Sequence, residues 1–184
     1  MYEMKFGRLV FPMWNHSFCA GQCASWILKG LNRGRMVDTQ TDHLFDGRDS
    51  LMRAIHAGGP SPIFLEKFGL EITTKVPPQT IGQTKFLDVL GVIRQHEGYI
   101  YFTIKGQLKH VMAFRVTPTK CYFFEPEEGL YEFSGSGQMA VGVGRYLTDK
   151  APGTTECKIY PVRLRTDATK GRLAWKSARP TGTR

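Results

Sequence analysis

The feature that most constrains this chain is a change of hydrophobic period near its middle. Up to Gln95 apolar residues recur at helical spacing, and from Tyr99 onward they gather in short β-branched and aromatic runs. In the first half, Cys23, Trp26, Ile27 and Leu31 follow a period of about 3.6 residues, with Gly34 just beyond, so Gln22 to Leu31 is predicted helical. Leu51, Met52, Ile55 and His56 predict a short helix stopped by Gly58-Gly59-Pro60, and Pro62 to Phe68 predicts another. Thr74 to Gln83, with Pro77-Pro78 inside it, reads as an extended connection, and Lys85 to Gln95 sets Phe86, Val89, Leu90 and Ile93 on one helical face.

In the second half, Tyr99 to Ile104, Lys109 to Val116, Lys120 to Glu125 and Leu130 to Phe133 have strand composition and are separated by Gly, Pro and Thr turns. Gln138 to Leu147 is predicted helical despite Gly142 and Gly144, and Lys158 to Leu164 reads as a last strand. The fold class that follows is α+β, with N-terminal helices packed on a C-terminal antiparallel sheet.

A chain of 184 residues builds one core more readily than two, and no repeat or linker divides it. We expect a single catalytic-sized domain over residues 1–164 and a basic tail over 165–184. Of the formal net charge of +9, the tail holds a disproportionate share, since Arg165, Lys170, Arg172, Lys176, Arg179 and Arg184 face only Asp167. Such a block reads as a solvated, flexible tail, with an acidic docking partner as the alternative. No nucleic-acid motif accompanies the charge, so nucleic acid is not the expected partner. No stretch approaches the roughly 18 apolar residues needed to span a bilayer, and Met1 to Met13 lacks the apolar core and cleavage site of a secretory signal. Four scattered cysteines do not form a disulfide framework, which makes reduced thiols the expectation.

Chemistry is concentrated in three places. Cys23, in Ala20-Gly21-Gln22-Cys23-Ala24-Ser25-Trp26, is read as standing at a helix start, where unpaired backbone N–H groups favour a thiolate. Gly21 allows a close backbone approach, and the Cys23 N–H can serve an oxyanion. The competing reading makes Cys23 a small residue buried on a helix face. His110 lies in an otherwise apolar strand, and Glu125 ends the neighbouring strand Tyr122-Phe123-Phe124-Glu125-Pro126. A thiol nucleophile needs a base within reach and a third group to orient that base, and His110 and Glu125 fit those roles. The competing readings are a satisfied core histidine and a surface acid at a turn.

Other residues are assigned to packing. Cys121 and Cys157 are expected in the core, Trp26 as the helix anchor, and His43, His56 and His96 at the surface or in packing. His16, Cys19 and Cys23 lack a fourth ligand at a zinc spacing, so no metal is expected.

Gly-x-Cys opening a helix, His-Val-Met-Ala-Phe in a strand and Phe-Phe-Glu-Pro leading out of the next resemble the YopT-like peptidases of the papain superfamily, over roughly Asn15 to Leu147. The resemblance implies a papain-like fold and a catalytic triad of Cys23, His110 and Glu125, the last replacing the family's aspartate. It also implies an oxyanion side chain near the cysteine, for which Asn15, Ser17 and Gln22 are candidates and Asn15 is favoured.

The expected activity is hydrolysis of a peptide or amide bond through a thioester, without metal or organic cofactor. Deamidation or transamidation of glutamine, and cleavage of cell-wall peptide, share that acyl-enzyme step. A silent binding module using the basic tail is the alternative of another class. By resemblance the protein is a bacterial effector or toxin acting on a protein, peptide or cell-wall substrate. It would be held in the bacterial cytoplasm, with an immunity or chaperone protein as companion, and then delivered into a target cell without a signal peptide.

Overall fold

The computed structural model describes Met4, residues 7–12, 19–34, 61–82, 85–107 and 109–166. Its elements in chain order are β1 (Arg8–Pro12), α1 (Cys19–Arg33), α2 (Ser61–Lys67), β2 (Leu70–Ile72), β3 (Gln79–Thr80), α3 (Phe86–Ile93), β4 (Gly98–Gly106), β5 (Lys109–Val116), β6 (Cys121–Glu125), β7 (Gly129–Phe133), α4 (Ser136–Lys150) and β8 (Thr154–Leu164). The expected α+β arrangement is present, with N-terminal helices packed on an antiparallel sheet. The strand order is β1-β7-β6-β5-β4-β8-β2, with β3 pairing β8.

The core divides into two layers because side chains alternate across the sheet. From β4, Tyr99 and Tyr101 point into a cluster with Cys23, Trp26, Ile27, Phe64 and Leu65 of α1 and α2. Ile100, Phe102 and Ile104 point the other way, into a cluster with Val89, Leu90 and Ile93 of α3 and Met139, Val143 and Leu147 of α4. Both faces of the central strands are thus covered, which is why Tyr99 to Phe102 is apolar without interruption.

Local signals set the helix ends. Gly34 adopts φ +63 and its N–H donates to the Gly30 carbonyl at 2.9 Å, closing α1 with the left-handed residue that glycine adopts most easily. Asp88 accepts from the Lys85 N–H at 3.1 Å and so caps the start of α3. Inside α1, Gly30 lies against Tyr99: a Cβ there would fall 2.0 Å from the phenol oxygen, so only glycine allows the helix to sit this close to β4. Trp26, 1% exposed, anchors the same helix, stacked on Phe124 at 5.4 Å and edge-on to Tyr99 at 5.3 Å.

The structure corrects one boundary that matters for chemistry. The predicted helix Gln22 to Leu31 is real, but it begins at Cys19. The apolar stripe marks where a helix touches the core, and the first turn extends beyond that stripe. The N-terminal strand β1 was not foreseen, since its place depends on pairing with β7. The predicted helix over Leu51 to His56 and the tail beyond Thr166 lie outside the described residues. Arg165, assigned to the tail from sequence, pairs with Glu66 at 2.7 Å. Among the described residues no helix is long and apolar enough to cross a membrane.

Trp26 supplies much of the contact between α1 and the sheet. Replacing it by alanine is expected to lower the unfolding free energy by about 3–5 kcal/mol, measured by urea denaturation.

Candidate active site

The strands bring two of the three residues expected from the sequence together. β5 and β6 run antiparallel, with Ala113 opposite Phe124, so His110 near the start of β5 and Glu125 at the end of β6 share one end of the sheet. His110 Nε2 lies 2.5 Å from Glu125 Oε1. The other carboxylate oxygen accepts from the backbone N–H groups of Glu127 at 2.8 Å and Glu128 at 2.7 Å. Glu125 has no solvent exposure, and these contacts satisfy a carboxylate that burial would otherwise penalise heavily. The turn that follows β6 therefore orients the acid, and the acid orients the imidazole. Glutamate in place of aspartate suits this arrangement, because its reach allows one oxygen to meet His110 while the other stays on the turn.

The cysteine at His110 is Cys19. It begins α1, is partly exposed, and lies close enough to His110 to raise the pKa of the imidazole. The first N–H groups of a helix lack intrahelical acceptors, so Cys19 sits in the positive field of the α1 N-terminus.

Cys23, singled out from the sequence as nucleophile, stands one turn further into α1 with 0% exposure. Its thiol donates to the Val111 carbonyl at 3.4 Å. Burial pushes its pKa well above the usual thiol range, and the charges of Cys19 and Glu125 push in the same direction. These are the surroundings of a core residue, and the reason is the helix boundary: counted from Cys19, position 23 falls on the stripe with Trp26 and Ile27 that faces the sheet. One sequence signal bore on the choice: the period already placed Cys23 on the apolar stripe.

Of the oxyanion candidates, Asn15 and Ser17 lie outside the described residues. Gln22 is fully buried in the first turn of α1. Cys121 and Cys157 are buried in the core, as expected. His16, His43 and His56 are outside the described residues, and among those described no group of three His, Cys, Asp or Glu side chains is placed to hold a metal ion.

No protein-family model matches the chain, and no curated protein matches it by sequence. Its fold does match a solved one: the crystal structure of the Pseudomonas avirulence protein AvrPphB aligns with a TM-score of 0.61, covering 79% of this chain and 91% of that one at 15% identity. The fold is papain-like.

The electrostatics of the site centre on His110, whose side chain is 20% exposed. Burial pulls its pKa down, but hydrogen bonds to Cys19 and Glu125 and the negative charge of both outweigh that, raising it from 6.5 to about 10. The arrangement favours the imidazolium form of His110. A raised folded-state pKa stabilises the protein at low pH: the contribution is complete below about pH 6.5 and is lost as the pH climbs through about 10. Cys19→Ala and Glu125→Gln each remove one source of the shift, so each is expected to lower the His110 titration midpoint measured by NMR of the ring protons.

Proposed function

We propose that this protein is a papain-like cysteine hydrolase that cleaves a peptide or amide bond, with Cys19 as nucleophile, His110 as acid and base, and Glu125 as the group that orients His110. The observation that carries the proposal is the chain Cys19–His110–Glu125, formed at the start of a helix and at one end of a sheet. In the first step the Cys19 thiolate attacks the carbonyl carbon and the carbonyl π electrons move to oxygen. His110 then donates its proton to the amide nitrogen, the C–N bond breaks, and the amine leaves from a thioester. Water next attacks the thioester while His110 takes its proton, and the Cys19 thiolate departs with the carboxylate product released. The start of α1 places backbone N–H donors near the thiol that could serve the oxyanion.

The likeness to an avirulence protein supports reading the chain as a bacterial effector delivered into another cell, with a protein or peptide as substrate. At 15% identity the likeness extends to architecture, so the activity is argued from the site itself.

The test is mass spectrometry of protein and cell-wall peptide mixtures incubated with wild type, Cys19→Ala and His110→Ala. New termini are expected with wild type alone, with both variants slower by at least about 10³-fold. A gain of about one dalton at glutamine would redirect the reading to deamidation, which uses the same acyl-enzyme. Cleavage that survives in Cys19→Ala would overturn the assignment of the nucleophile.

A further inference from the structure

The buried thiol of Cys23 takes no part in the chemistry above, yet it touches the backbone beside the base. It lies one turn after Cys19 on α1, and its partner is the carbonyl of Val111, the residue that follows His110. β6 pairs with β5 only from Ala113 to Val116, so this part of β5 lies beyond the end of that ladder. The neighbouring anchor of α1 has a similar placement: Trp26 stacks on Phe124, the residue before Glu125. Two consecutive contacts of the helix therefore land one residue away from each orienting member of the site.

We propose that Cys23 is a positioning residue: its thiol ties the first turns of α1 to β5 at Val111 and so sets the separation of Cys19 from His110. This inference rests on the assignment of Cys19 as nucleophile. The role requires a donor that keeps its proton. Full burial meets that need, because a second thiolate in a dry site, facing Cys19 and Glu125, is strongly disfavoured. A small side chain is also required, since Cys23 packs in the layer with Trp26, Ala113 and Phe124.

The experiment compares the pH dependence of Cys19 alkylation by iodoacetamide, mapped by peptide mass spectrometry, in wild type, Cys23→Ala, Cys23→Ser and Cys23→Val, with melting temperatures measured in parallel. Serine retains a donor, alanine removes it, and valine fills the volume without one and stands in for alanine if that variant does not fold. Losing the contact is expected to slow Cys19 labelling at neutral pH about three- to tenfold and to move its pH midpoint upward, with serine restoring most of the wild-type profile. A change in melting temperature alone, with the labelling profile unmoved, overturns the positioning role and leaves the nucleophile assignment standing. Serine as slow as alanine overturns it as well. Wild-type Cys19 labelling no faster than Cys121 or Cys157 removes the assignment of the nucleophile itself, and the inference with it.

Discussion

The position of Cys19 depends on how α1 is seated on the sheet. A helix is stiff, rising about 1.5 Å per residue, so Cys19 stands about 10 Å along the axis from the indole that anchors it. Trp26 between Phe124 and Tyr99, and Gly30 beneath the Tyr99 phenol, define that seat. The Arg115 guanidinium lies over the Tyr99 ring, 5.3 Å from its centre, so the tyrosine is held from β5 as well. Small tilts of the helix are amplified at its first residue, where the contact with His110 must form. Packing far from the chemistry is therefore part of the chemistry.

Two cysteines one turn apart on the same helix stand in contrasting environments. Cys19 is partly exposed at the helix N-terminus beside an imidazole, whereas Cys23 is sealed beneath the helix against a carbonyl. Glu125 sits at the meeting point of the two core layers, raising the pKa of Cys23 in one layer and of Tyr131 and Tyr146 in the other, each of which is raised first of all by burial. Its charge is tolerated there because His110 and two backbone N–H groups bind it.

A papain-like architecture does not by itself name a substrate, since a fold can host many functions and the site must argue for the chemistry. What the shared architecture contributes is a frame in which a helix start meets the end of an antiparallel sheet. In this chain that frame brings a thiol beside an imidazole that is hydrogen-bonded to a carboxylate.

Much of this was legible in the sequence. The switch from helical to strand period located the two halves, and β5 appeared with the boundaries Lys109–Val116 that the structure shows. A histidine and a glutamate in strands rich in aromatic and aliphatic residues pointed to His110 and Glu125, because buried polar groups in such strands need a partner. The choice between Cys19 and Cys23 was different. Both lie near the start of one helix, and a hydrophobic stripe reports only where a helix contacts the core, leaving the first turn unmarked. Which thiol meets the imidazole was decided by tertiary structure, through the register of α1 on the sheet: the seat made by Trp26 and Gly30 buries one cysteine and delivers the other to His110.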